Sequence, residues 1–336
     1  SARAVWAAEA RLRSVLGPVV CCVSCPYPSS SFRAVPPADC TTPEPTEVRI
    51  RESQRTDIRL GSHSTAAWLY PGDPQLRPLL MVHGFRGDHH GMDLIAGSIT
   101  DREVIVPDLP GFGLTDPLDS GSSLSAFVDH LVALRAEIGR QRGVTPILVG
   151  HSFGSILVSH LAASHRDTID ELVLINPITS PALEGPARFL TAVTRAYYAL
   201  GARLPERAGR SLLSNPVIVR AMSVAMATTR DPGLRRYIHD QHDKHFSSFA
   251  DRQTLSEAFA TSVAHTVTEV ADRLTMPTLA IAGDQGAIAP VEPTRAFGAE
   301  LTDVEFVELG GVGHLVHYER SEEAASVIMD FCHRRL

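Results

Sequence analysis

Ser152 sits in Gly150-His151-Ser152-Phe153-Gly154, between an apolar run at 145–149 and a helix-like segment at 155–163. The apolar run reads as a buried strand. A serine between two glycines at such a junction is the pattern of an activated nucleophile. The turn is sharp enough to strain the serine backbone, and the glycines lack the Cβ atoms that would hold strand and helix apart. Its Oγ is expected to stand exposed at the carboxyl edge of a sheet, beside a helix N-terminus that favours developing negative charge. An attacking hydroxyl needs a base, an orienting acid and donors for the oxyanion. His314, in Gly310-Gly311-Val312-Gly313-His314, is the candidate base, because its glycine loop follows the last strand-like run at 304–309. His83-Gly84-Phe85 follows another such run at 79–82. There the backbone N–H of Phe85 can join that of Phe153 in facing a substrate oxygen, with His83 bracing the loop. This set of residue types suits acyl transfer.

The elements that must hold these groups follow from periodicity. Polar and apolar residues alternate over 47–50, 57–60 and 64–70, as in half-buried hairpin strands. Continuous apolar runs at 78–82, 103–107, 172–175 and 278–282 read as interior strands. Residues 125–142 read as a helix with Phe127, Leu131, Leu134 and Ile138 on one face, and a C-terminal helix begins near Ser321. The expected class is α/β: a mostly parallel central sheet with helices on both faces. Residues 181–263 break the rhythm with helix-length segments at 186–200, 207–213, 216–226 and 255–263 and no convincing strand. They are expected to form a helical cap over the sheet's carboxyl edge, where ligands bind in such folds. The domains are therefore a loosely attached extension at 1–45, a core at 46–180 and 264–336, and a cap at 181–263.

Composition excludes several classes. The chain has 336 residues, 44% of them hydrophobic and 21% charged, with a net charge of −7. Lys244 is the sole lysine and no basic run is dense enough for a nucleic-acid footprint. No stretch of about 18 uncharged apolar residues is long enough to span a membrane. Four of the five cysteines, Cys21, Cys22, Cys25 and Cys40, lie in the Pro- and Ser-rich extension, and Cys332 is alone in the body. Cys22 and Cys25 have CxxC spacing but lack a second pair, so no zinc site is expected. The body needs no disulfide, which fits a reducing cytoplasm. The run at 14–25 after Arg11 and Arg13 faintly resembles a signal peptide, leaving secretion as the alternative, but Gly17-Pro18 interrupts it. His239, His242 and Asp243 would share one helical face, which reads as solvated polar surface rather than a metal site. Arg86, Asp88, His89 and His90 line either a pocket or a surface loop. Phe85, Phe153, Tyr197, Tyr198, Phe246 and Phe249 are either pocket walls or core. A small-molecule substrate is expected, with no metal and no cofactor.

Four motifs together carry a resemblance: His83-Gly84-Phe85-Arg86-Gly87, Pro107-Asp108-Leu109-Pro110-Gly111-Phe112-Gly113, the serine pentapeptide, and Gly313-His314. From about residue 47 to its end the chain resembles the cap-bearing α/β-hydrolase fold proteins. The resemblance implies a serine branch, since the epoxide hydrolases and dehalogenases of that family carry aspartate at the elbow. It implies hydrolysis of a small or medium apolar ester, thioester or lactone through an acyl-enzyme. The alternatives are a C–C bond hydrolase using the same residues, or a catalytically impaired relative that only binds. One position departs from the family. The acid often stands in Gly-x-x-Asp-x-x-x-Pro, and here Gly283-Asp284-Gln285-Gly286-Ala287-Ile288-Ala289-Pro290 has Gly286 in its place. Asp284, two residues earlier, is the expected acid. Asn176, after the strand preceding the cap, is the other candidate partner for His314, and an incomplete triad is the third possibility.

Overall fold

The computed structural model describes residues 32–35, 51–180, 188–286 and 288–335. The compact unit that spans residues 33–336 holds the hydrophobic core and the candidate site. Apart from one short strand, the extension at 1–45 lies outside the described residues, as does the strand expected at 47–50.

Among the described residues nine strands form one sheet: β1 (Phe32–Val35), β2 (Gln54–Leu60), β3 (His63–Tyr70), β4 (Leu79–Val82), β5 (Val104–Pro107), β6 (Ile147–His151), β7 (Leu172–Ile175), β8 (Thr278–Gly283) and β9 (Val304–Leu309). Their order is β1-β9-β8-β7-β6-β4-β5-β3-β2. From β5 through β4, β6, β7 and β8 to β9 every pairing is parallel. The hairpin β2–β3 adds antiparallel strands at one edge. Its first strand is 54–60, closed by a turn at Gly61 with φ 62°.

Alternation along the interior strands sorts the core into two layers. Leu80, Val82, Ile105, Leu148, Leu172 and Leu174 face one side, with the helices Leu124–Arg142 and Phe153–Ser164. Leu79, Met81, Val104, Val106, Ile147, Val149, Val173 and Ile175 face the other. Both faces are buried, as a parallel sheet requires. In chain order the helices are α1 (Asp93–Ser98), α2 (Leu124–Arg142), α3 (Phe153–Ser164), α4 (Arg188–Arg203), α5 (Glu206–Leu213), α6 (Pro216–Met226), α7 (Pro232–His245), α8 (Arg252–Ala264), α9 (Val291–Glu300), α10 (Val316–Glu319) and α11 (Ser321–His333).

Helices α4 to α8 fall between β7 and β8. Their starts are set by local capping: Asn215 accepts N–H bonds from Val217 and Ile218 ahead of α6, and Asp231 accepts from Gly233 and Leu234 ahead of α7, each with proline at the first helical position. This segment packs on loops that follow the carboxyl ends of β4 and β5. Gly113 N donates to Ser248 O at 2.8 Å, and Ala250 N donates to Gly111 O at 2.9 Å. No helix among the described residues is long and apolar enough to cross a membrane.

Candidate active site

Strand β6 delivers the elbow. A Cβ on Gly150 would lie 2.5 Å from Gly154 O, and one on Gly154 would lie 2.3 Å from Val82 O. Only hydrogen fits at either place, which explains the spacing of the pentapeptide. Ser152 between them has φ 53° and ψ −117°, a strained conformation for an L-residue. Its N–H donates to Ile175 O at 3.0 Å, and its carbonyl accepts from Ser155 N at 2.9 Å and from Ser155 Oγ at 2.5 Å. The turn is thus fixed from both sides. The serine is less open than its position at the sheet edge suggests, retaining 9% of its surface.

His314 Nε2 lies 2.9 Å from Ser152 Oγ, within hydrogen-bond reach. The imidazole is 8% exposed, and burial pushes its pKa down to about 4. Desolvation disfavours the imidazolium, and no carboxylate offsets it. Nδ1 is buried without a hydrogen-bond partner among the described residues. The loop carrying His314 is held from three directions. Asn176 Nδ2 donates to His314 O at 2.8 Å and to Gly313 O at 3.3 Å, while its Oδ1 accepts from Gly283 N at 3.0 Å. Thr228, between α6 and α7, accepts from Gly313 N at 3.0 Å and donates to Glu319 Oε2. His151 Nε2 lies 3.4 Å from His314 O.

Asp284 is not brought to the imidazole. Its Oδ1 accepts from Gly311 N at 2.8 Å and from Val312 N at 3.2 Å, so it ties the glycine loop to the end of β8. The expectation that Asp284 orients His314 Nδ1 finds no contact here: its carboxylate meets backbone N–H groups two and three residues before the histidine. Asn176 holds the histidine's backbone and not its ring. Gly286 cannot carry the missing group either, since a Cβ there would lie 2.3 Å from Ala289 O.

Phe153 opens α3, so its N–H lies among the helix's unsatisfied donors. Phe85 lies beside it, the two rings meeting edge to face with centroids 6.4 Å apart. His83 braces this loop: Nε2 accepts from Leu109 N at 2.9 Å, which leaves Nδ1 to donate to Gly84 O at 2.8 Å. Burial lowers its pKa, which suits that neutral form. Around Phe85 stand Phe112, Tyr198 and Phe259, with Tyr198 and Phe259 stacked at 4.0 Å.

Arg86 has a role that its sequence position did not reveal. It is buried, with φ 62°. Its guanidinium donates to Phe246 O at 3.0 Å, Tyr198 OH at 3.2 Å and Leu213 O at 2.7 Å. It ties the loop after β4 to three parts of the inserted helices. His239 and His242 converge through Nδ1 on Ser223 Oγ, at 2.6 and 2.7 Å, while Asp243 pairs with Arg220. The helical face that they share is therefore turned into the protein at its two histidines.

The model of the alpha/beta hydrolase family matches residues 79–327. The chain belongs to this family. Among curated relatives it is 29% identical over 198 residues to a (lyso)-N-acylphosphatidylethanolamine lipase of Bos taurus, a match over 56% of this chain and 54% of that protein. The chain thus spans about half the length of that relative. It is 26% identical over 293 residues to a 2-hydroxymuconate semialdehyde hydrolase of a Pseudomonas species, covering 84% of this chain and 93% of the other. Among solved structures, a thermophilic esterase from Thermogutta terrifontis has a TM-score of 0.64 at 22% identity, over 84% of this chain and 98% of the esterase. That last likeness is one of fold.

Proposed function

We propose that this family member is a serine hydrolase that cleaves a small or medium apolar ester, thioester or lactone through an acyl-enzyme on Ser152. The observation that carries the reading is the 2.9 Å approach of His314 Nε2 to an Oγ held on a strained elbow. Ser152 Oγ attacks the carbonyl carbon as its proton passes to His314 Nε2, and the N–H groups of Phe85 and Phe153 receive the oxyanion. The protonated imidazole then gives its proton to the leaving oxygen or sulfur. Water attacks the acyl-enzyme with His314 again as base, releasing the acid and restoring the serine. Helices α4 to α8 act as the cap, with Tyr198 and Phe259 forming an apolar wall beside Phe85. His314 works as a base without a carboxylate on Nδ1, so this is a dyad whose backbone is fixed by Asn176.

The test is labelling of the full chain by a fluorophosphonate, with hydrolysis of a series of p-nitrophenyl esters. Labelling and turnover that vanish in Ser152→Ala, and fall by ~10³-fold or more in His314→Ala, support the reading. Folded protein that neither labels nor turns over would refute it in favour of a binding role. The muconate hydrolase relative favours a second reading, cleavage of a C–C bond in a diketone by the same residues. A diketone turned over at least as fast as the best ester would decide for it.

A further inference from the structure

Two histidine- and aspartate-rich stretches take no part in the proposed reaction, and the fold brings them together. Asp88 and His90 follow the loop of Phe85, while His245 ends α7 more than 150 residues later. Their donor atoms all lie within 4.8 Å of one another. We propose that Asp88, His90 and His245 bind a divalent transition metal ion of the Zn²⁺ class, joining the inserted helix α7 to the loop beside the oxyanion donors. This inference is independent of the hydrolase reading.

The geometry supports it in three ways. His90 Nδ1 lies 3.0 Å from Asp88 Oδ1, and His245 Nδ1 lies 3.3 Å from Asp88 Oδ2. Ligands bonded at about 2.0–2.2 Å in a tetrahedron are themselves about 3.3–3.6 Å apart, so little movement separates these contacts from a coordination shell. The supporting groups are also in place. Asp88 is buried, and its Oδ1 accepts from His90 N at 3.0 Å. The His90 ring lies between those of His89, at 3.8 Å, and His245, at 3.6 Å, and His89 stacks on Trp68 at 3.2 Å. Such neighbours hold the ligand side chains close to the site before an ion arrives. Finally, the histidine side chains keep 34% and 21% of their surface, which leaves an entry path and a fourth position for water.

Two imidazoles and one carboxylate select Zn²⁺, Co²⁺ or Ni²⁺ over Mg²⁺ and Ca²⁺, which prefer all-oxygen shells. Binding requires one adjustment. The His90 and His245 rings are 25° from parallel, so they must fan apart for one ion to lie in both ring planes. Each Nδ1 must also present its lone pair, its proton moving to Nε2 or to solvent.

The experiment is titration of metal-free full-length protein with Zn²⁺ by calorimetry and equilibrium dialysis, repeated with Co²⁺ by visible absorption. With 15 histidines and a cysteine cluster in the chain, binding alone is not sufficient. His90→Phe and His245→Phe keep an aromatic ring in the stack and remove one ligand each, and Asp88→Asn serves if either fails to fold. The expected result is one equivalent bound by the parent, with Kd raised about 100-fold or more in each folded variant. Failure of the parent to bind at micromolar free Zn²⁺ overturns the proposal. So does one equivalent retained unchanged in the variants, which would locate the ion elsewhere.

Discussion

Asp284→Asn separates a catalytic from a structural role for the one acidic residue near the expected position. In a serine triad, replacing the acid by its amide leaves the shape intact but lowers kcat about 10⁴-fold, because the imidazole takes the wrong tautomer. Asp284 touches no atom of the His314 ring here. It accepts two backbone N–H bonds, at 2.8 and 3.2 Å, through a single oxygen. Asparagine keeps an acceptor oxygen for both, so kcat/KM should stay within about tenfold of the parent. Asp284→Ala leaves the two N–H groups without their acceptor. Gly311 is exposed and can turn to water, while Val312 is fully buried, so the cost should be about 1–3 kcal/mol. The assay is steady-state hydrolysis of the best p-nitrophenyl ester, with thermal melts of parent, Asn and Ala forms. A fall in kcat/KM near 10⁴-fold in Asp284→Asn at unchanged Tm would refute the reasoning. It would mean that the loop moves in solution and brings this carboxylate to Nδ1.

Four further outcomes are expected from the same geometry. His314 must be neutral to act as base and has its pKa near 4, so the acid limb of kcat/KM should fall near pH 4, and a limb at 6–7 would indicate a hidden carboxylate partner. His130 and His314, near 4, and His151 and His242, near 3, are all lowered by burial, so their stabilisation is complete above about pH 6.5 and is lost as pH falls from 6.5 toward 4 for the first two and toward 3 for the others. Each contributes up to ~1.4 kcal/mol per pH unit, partly offset below neutrality by Asp93, Glu171 and Glu319, which burial raises; equal urea midpoints at pH 7.5 and 5 would contradict this. Gly286→Asp, which restores the family's acid by sequence, should cost about 1–3 kcal/mol against Ala289 O and gain no activity, measured by melting and ester turnover. Asn176→Ala should lose about 2–4 kcal/mol, and Asn176→Asp more, since a carboxylate would face the Gly313 and His314 carbonyls; a melt showing Asp above Ala would count against this packing.

The sheet was legible because burial on both faces writes itself as continuous apolar runs. The runs at 172–175 and 304–309 coincide with β7 and β9, and Pro216–Met226 coincides with a helix that its asparagine and proline announce. Helix α7 was legible only as the face shared by His239, His242 and Asp243, without its bounds or its orientation. Pro232-Gly233 at its start reads as a breaker, and its polar run hides the fact that His239 and His242 turn inward onto Ser223. The serine and histidine could be placed because elbow and glycine loop are each attached to a strand end, and the strand fixes where the side chain begins. The acid could not. Its place depends on the path of 283–290 after the strand has ended, and counting from Gly283 assumes a path that Ala289 O closes at Gly286.

The bare Nδ1 has a chemical consequence. Serine can give its proton to Nε2 only if Nδ1 carries the ring's other hydrogen. No carboxylate at Nδ1 favours that tautomer, so the imidazole is free to put its hydrogen on Nε2 instead, where it blocks proton acceptance. The fixed backbone of His314 preserves the 2.9 Å approach but not the protonation state. A substrate or bound group that accepts a hydrogen bond from Nδ1 would therefore raise kcat more than KM. A small carboxylate added to the assay is the simplest such group: saturable activation in the parent, absent in His314→Ala, is the expected result, and indifference of kcat to added formate would mean that Nδ1 is satisfied or sealed.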